Sequence, residues 1–323
     1  MLRKVLILLA VVFVAACDAP DVQESAAESS TISRPEGNSN IRNNPVESIE
    51  PDKLIQVCRI NSKSVSESSG IAVTDPDLGS FWTHNDSGHN SELYLIAIST
   101  GELISTVELA GARNVDWEDM AHFELGGHLW LMVADVGDNE LKRKKCKLYV
   151  FDSSIADNRK KQTIEKKNVH ELEFAYEDGP HDCEAVAVVD NGKTLLLVEK
   201  QMNPFSHPVV GVYQLDLPEE FVDMGKLTAK RITGISAWAV TGMDVSPDHR
   251  SLILRSYGGA QVYRRENDNQ SWADVLKVDR PSVVPLPVQQ QGEAICFTPD
   301  GKHVLITSEG SEAIVWQVEL PAK

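Results

Sequence analysis

The stretch GEAICFTPDGKHVLITSEGSEAIVWQVEL, residues 292–320, decides the fold. It opens on the apolar run GEAICF (292–297), turns through TPDGK, and resumes as VLITSE (304–309). A third run, EAIVWQVEL (312–320), follows at once. Short β-branched and aliphatic runs separated by Asp, Pro and Gly read as antiparallel strands, because those turn residues preset φ or tolerate its positive values. The same order recurs four times upstream. First strands are SSGIAV (68–73), WEDMAH (117–122), CEAVAV (183–188) and VTGMDV (240–245). Second strands are FWTHND (81–86), LWLMVAD (129–135), LLLVEK (195–200) and LILRSY (252–257). Third strands are ELYLIAI (92–98), KLYVFD (147–152), VGVYQLDL (210–217) and AQVYRR (260–265), and fourth strands LISTVEL (103–109), VHELEFAY (169–176), KLTAKRITG (226–234) and WADVLKV (272–278).

Ser69, Glu118, Glu184, Thr241 and Glu293 mark equivalent positions, 49, 66, 57 and 52 residues apart. Four strands in about 50 residues is the pattern of a β-propeller blade. The last unit stops after three strands, at Leu320, while LIQVCRI (54–60) stands alone at the other end of the chain. Pairing the two closes a ring and removes an open edge. The expected fold is therefore an all-β propeller of five four-stranded blades, its ring closed by strand 54–60 pairing onto the last blade. A sixth blade would have to come from the 66-residue second unit. A pair of β-sandwiches would not require the terminal strand.

The composition excludes several function classes. At 42% hydrophobic residues the chain is too apolar for disorder, and 31 Lys and Arg against 48 Asp and Glu leave −17, which phosphate backbones repel. Nucleic acid is not an expected partner. Residues 1–17, MLRKVLILLAVVFVAAC, place Arg3 and Lys4 before a 12-residue apolar run, Val5 to Ala16. Twelve helical residues span about 18 Å, too short to cross a bilayer, so the run reads as a signal peptide over residues 1–16. Its end, Val14-Ala15-Ala16-Cys17, resembles the bacterial lipobox, whose Cys is lipidated. That likeness implies a lipid membrane partner through Cys17 and a cell-envelope address facing the periplasm; Asp18 resembles an inner-membrane retention signal. Residues 17–51, rich in Ser, Asn, Glu and Pro, read as a disordered tether, and residues 52–323 as the propeller domain.

In a propeller, the start of each first strand and the end of each second strand meet on one face. First-strand starts supply Ser68 and Ser69, Asp116 with Glu118 and Asp119, Asp182 with Glu184, Thr241, and Glu293. Second-strand ends supply His84, Asn85 and Asp86, then Asp135, Asp138 and Asn139, then Glu199 and Lys200, then Arg255, then Ser308 and Glu309. Carboxylates crowding one mouth repel unless protons or a cation intervene, and an oxygen-rich, sulfur-poor set suits Ca²⁺. Candidate metal ligands are thus Glu118, Glu184, Glu293, Asp86 and Asp135. Candidate ligand-binding residues are His84, Asn85, Asp138, Glu199, Lys200, Arg255 and Glu309. Turn chemistry for Asn85, Asp86 and Asp138, and capping of rim N–H groups by the three glutamates, are the structural readings of the same residues.

The segments FWTHNDSG (81–88), NVDWEDMA (114–121), ADVGDN (134–139), KLYVF (147–151) and TGMDVS (241–246) resemble those of a group of secreted or lipid-anchored bacterial propeller proteins with WTHNDSG-, DWEDIA- and GDxGDN-type motifs. The likeness covers Glu67 to Leu320 and implies the propeller fold. A more distant likeness, in layout only, is to calcium-dependent propellers of the gluconolactonase and regucalcin kind and of the phytase kind. Their ligand sets cannot be placed residue by residue here.

The sequence holds no GxSxG elbow, HExxH, GxxxxGK[ST], GxGxxG or EF-hand loop. Cys58, Cys146, Cys183 and Cys296 lack CxxC spacing; Cys146 and Cys183, both expected on the mouth face, are the pair best placed for a disulfide. Two functions follow. One is a tethered module that binds a small molecule or an envelope protein at an acidic, cation-holding mouth. The alternative is a metal-dependent hydrolase of lactone, ester or phosphoester bonds, with Glu118 or Glu184 as candidate catalytic base.

Overall fold

The computed structural model describes residues 53–156, 160–202, 209–221 and 226–321. The signal peptide, Cys17, Asp18 and the tether lie outside the described residues. The regular structure of the described chain is mostly antiparallel strand, and each predicted repeat folds as a meander. The first holds β1 (Leu54–Arg59) apart, then β2 (Ser68–Ala72), β3 (Ser80–Asn85), β4 (Glu92–Ala97) and β5 (Leu103–Leu109). Next come β6 (Trp117–Leu125), β7 (His128–Asp135), β8 (Cys146–Asp152), β9 (Lys161–Ile164) and β10 (His170–Tyr176). The third unit is β11 (Cys183–Val189), β12 (Thr194–Glu199), β13 (Val210–Asp216) and β14 (Leu227–Ile235). The fourth is β15 (Val240–Val245), β16 (Ser251–Ser256), β17 (Gly259–Arg264), helix α1 (Trp272–Val278) and β18 (Ser282–Val284). The last is β19 (Gly292–Phe297), β20 (His303–Ser308) and β21 (Ile314–Glu319).

The last sheet runs β1-β21-β20-β19, so the N-terminal strand completes it, with Leu54 opposite Val318 and Arg59 opposite Ile314. The second and third units merge into one eight-stranded sheet because their outer strands β10 and β14 pair in parallel. The long second repeat spends its surplus on β9, which adds in parallel to the outer edge of the first unit and makes that sheet five-stranded. One element departs from the sequence reading. WADVLKV is a helix, because Ser271 caps it by accepting from the Asp274 N–H, and Trp272, Val275 and Leu276 share its buried face. The edge strand of that unit is β18.

Apolar packing runs around the molecule in a circle. The buried residues form five clusters, each shared by two successive units, and the fifth unit packs on the first. Period-2 alternation explains how one strand serves two clusters: Val186 and Val188 of β11 face the second unit, while Ala185, Ala187 and Val189 face the fourth. A strand buried on both faces reads as a continuous apolar run, which is what CEAVAVV shows. The first strands neighbour one another in the same circle, β19 to β2, β2 to β6, β6 to β11, β11 to β15 and β15 to β19.

Buried polar groups stitch this hub. Asp119 is fully buried; its Oδ2 accepts from the N–H groups of Val186 (2.8 Å) and Met243 (3.1 Å), and its Oδ1 from Met120 (2.8 Å). Asp244 accepts from Phe297 N–H at 2.7 Å. Ser69 and Thr241 donate to the Glu118 and Gly292 carbonyls.

Candidate functional site

Each first strand is irregular where it meets the mouth. Its register with the second strand slips between Ser68 and Ile71, Trp117 and Asp119, Cys183 and Ala185, Val240 and Gly242, and Gly292 and Ile295. A bulge re-aims the side chain at the extra residue. In the second and third units that residue is Glu118 and Glu184, and the irregular stretch of the fifth contains Glu293. All three are almost fully buried, at 4%, 4% and 3% exposure.

Glu118 forms a tight group with Asp86, at the exit of β3, and Asp116, just ahead of β6. One oxygen of each lies within 4.8 Å of the others. Two oxygens bound to one Ca²⁺ at about 2.4 Å can stand at most about 4.8 Å apart, so the spacing fits a shared hard cation. Gly137 makes the group possible. A Cβ there would stand 2.1 Å from Glu118 Oε1 and 2.6 Å from Asp116 Oδ2, so a side chain would fill the space the carboxylates use. Burial, then the charges of Glu184, Asp86 and Asp116, lifts the Glu118 carboxyl well above its usual range. Burial and the Asp86 charge raise Asp116 to about 6. Burial raises Asp86, against the hydrogen bond from Ser87 N–H.

A second group adjoins the first. Lys200 Nζ lies 2.9 Å from Glu184 Oε2 and 5.8 Å from the centre of the Tyr257 ring. Tyr257 donates its hydroxyl to Glu293 Oε1 at 3.0 Å, and Glu293 Oε2 is buried without a partner. Burial alone would lower the Lys200 ammonium, but the charges of Glu184 and Glu293 outweigh it and hold the group charged. Glu184 stays raised by burial despite that ion pair. Glu309 is lifted to about 7 by burial and by the charges of Glu293, Asp86 and Glu67. Glu118, Glu184, Glu293, Asp86, Glu309 and Lys200 therefore share one acidic mouth.

Other candidates are committed to the scaffold. Asp135 is not part of the triad: its Oδ1 holds Arg143 at 2.8 Å and accepts from Asp116 N–H at 3.1 Å, while its Oδ2 is buried without a partner. Asp138 accepts from Arg143 N–H at 2.6 Å, the turn role. Asn85 closes a loop, accepting from the N–H groups of Ser66 and Glu67 and donating to Ser64 O. His84 packs edge-on against Trp117, and burial drops its imidazole to about 4. Glu199 binds His181 at 2.9 Å and Gly211 N–H at 2.6 Å. Arg255 is buried and gives its guanidinium to the Ala294 and Thr307 carbonyls and to Gln289. All four described thiols are free and buried, so the disulfide expected between Cys146 and Cys183 is not made. Each of the two turns to a carbonyl of its own unit, Val136 O at 3.9 Å and Ala185 O at 3.6 Å.

Tyr257, the last residue of the expected strand 252–257, and Glu67, just ahead of β2, were not anticipated as mouth residues. A cleft of about 620 Å³ opens beside the triad, lined in part by His89, Glu92, Arg113, Asn114, Val115 and Lys161. No family model and no curated protein matches the chain. Among solved structures it is similar to hydrazine synthase of Kuenenia stuttgartiensis, at 13% identity and a TM-score of 0.40, over 80% of this chain and 97% of that one.

Proposed function

We propose that the five units are the blades of a five-bladed propeller tethered to a bacterial membrane through Cys17, and that its mouth binds a ligand around a divalent cation, Ca²⁺ first. The observation that carries the reading is the triad Asp86, Asp116 and Glu118, drawn from two units onto one face with its oxygens at cation spacing. The chain enters the ring at Leu54, opposite Val318 and so at the far end of the sheet from Gly292 and Ser308, which border the mouth. The hydrolase alternative is less favoured, because one candidate base, Glu118, belongs to the cation triad and the other, Glu184, is paired with Lys200.

The test uses the mature chain with Cys17→Ser. Elemental analysis should find about one calcium per chain, and after chelation 1 mM Ca²⁺ should raise Tm by about 5 °C or more. Asp116→Asn should remove most of that rise. A wild-type Tm indifferent to Ca²⁺, Mg²⁺ and Mn²⁺ alike would refute the cation.

A further inference from the structure

Of the eleven large apolar side chains exposed among the described residues, Ile55, Leu129, Val278 and Val283 lie in strands or in the helix, and six others lie on loops of the mouth face. Val115, Leu141, Met202, Trp238, Tyr257 and Val288 all sit on loops that join a second strand to a third, or one unit to the next, on that side. Three of them form one patch. Ala239 N–H donates to Gln201 O at 2.7 Å, Tyr257 N–H donates to Ala239 O at 3.2 Å, and Trp238 lies beside Gly258. Main-chain bonds thus hold Met202, Trp238 and Tyr257 together, at 56%, 38% and 40% exposure. Aromatic residues and Met concentrate where proteins dock, and isolated monomers seldom gather them on one face.

The patch borders the carboxylates directly, because the Tyr257 hydroxyl is bonded to Glu293. Glu293 keeps one oxygen without a partner, and Glu309 stands under its charge. Two buried cations stand nearby, and the charge of each acts on Glu293. Lys200 is paired with Glu184, and Arg255 is bonded to two carbonyls and Gln289. Lys200, Arg255 and a dication on the triad would together supply four positive charges against the six carboxylates Asp86, Asp116, Glu118, Glu184, Glu293 and Glu309.

We infer that the mouth receives a lysine or arginine side chain of a protein partner, its cationic end entering between Glu293 and Glu309 and its flanking apolar residues covering Met202, Trp238 and Tyr257. The complementarity is specific. An aliphatic stem suits an aromatic wall, the ring faces favour a cation, and paired carboxylates favour it further. The inference rests on the mouth being a binding site, and it does not require the cation triad.

The test is an NMR titration of the mature Cys17→Ser chain with acetylated, amidated pentapeptides Ala-Leu-Lys-Leu-Ala and Ala-Leu-Gln-Leu-Ala, and with spermidine. The Lys peptide should bind about tenfold or more tighter than the Gln peptide, and should weaken as salt rises. Trp238→Ala, a surface change, and Glu309→Gln should each weaken the Lys peptide about fivefold. Equal affinity for the two peptides overturns the inference. So does spermidine binding as tightly as the Lys peptide with Trp238→Ala without effect, which marks a site for free amines. The peptide arms read Trp238 and Glu309, whereas the calcium titration reads Asp116, so one reading can fail while the other stands.

Discussion

At the scale of single residues, the hub uses buried acids in two ways. Asp119 is structural: its two oxygens answer three N–H groups, two of them on other units. Asp119→Ala strands those donors, and each unpaired buried N–H costs about 1–3 kcal/mol. The loss should be about 3 kcal/mol or more, read as a lower urea midpoint, even though the variant also sheds a carboxylate that burial disfavours. Glu118, one residue earlier in the same bulge, has charged neighbours in place of donors. Gly137 decides whether it can share a cation. Gly137→Ala puts a methyl group on Glu118 Oε1 and Asp116 Oδ2, so it should abolish the calcium-dependent rise in Tm while the circular dichroism of the strands is retained. An unaltered calcium response in that variant would show that the triad does not hold the ion.

At the scale of elements, the closing strand carries the clearest test. β1 covers the edge of β21 and buries Cys58, with Ile60 just beyond it, against the first unit. Full burial of one aliphatic side chain is worth about 1.5–3 kcal/mol, so a chain starting at Asn61 should lose several kcal/mol and expose an unpaired edge. Gel filtration should show it associating, and its urea midpoint should fall; a monomer of unchanged stability would mean that the strand is dispensable. This strand was legible because an orphan apolar run and an incomplete last unit lie at opposite ends of the sequence. The helix over Trp272–Val278 was not. Its apolar residues Trp272, Val275 and Leu276 satisfy a helical period, but a seven-residue run between strands also looks like one more strand. The site was legible to the level of its face. Glu118, Glu184 and Glu293 align across repeats, so sequence brings them to one mouth. Which acids touch depends on the bulges and on Gly137, and hydrophobic alternation carries no trace of either. The same limit explains Asp135, Glu199 and Arg255, whose positions are right for the mouth but whose side chains are claimed by Arg143, His181 and main-chain carbonyls.

At the scale of the whole molecule, the mouth works against the fold as pH rises. Burial raises Glu118, Glu184, Asp116 and Glu309, the last two to about 6 and about 7. A carboxyl whose folded pKa exceeds its unfolded value binds more protons in the fold. Its contribution is fully present below the unfolded pKa, near 4, and is lost as pH rises through the folded pKa. The acids that hold hub N–H groups are protonated more readily in the fold as well, Asp244 at about 7, and they add to the same trend. His84, lowered to about 4, acts oppositely, gaining stability as pH climbs from 4 to 6.5, so the net fall should be clearest between pH 6 and pH 8. In chelator, Tm should therefore drop by several degrees across that window. A dication replaces the protons as the counter-charge of Asp86, Asp116 and Glu118, so saturating Ca²⁺ should remove the share of the slope due to these three and leave that of Glu184, Glu309 and Asp244, and its stabilisation should be larger at pH 8 than at pH 6. Differential scanning calorimetry at both pH values, with and without Ca²⁺, measures both effects. A calcium effect equal at the two pH values would place the ion away from these acids, because only a site whose carboxyls still carry protons at pH 6 must displace them to bind.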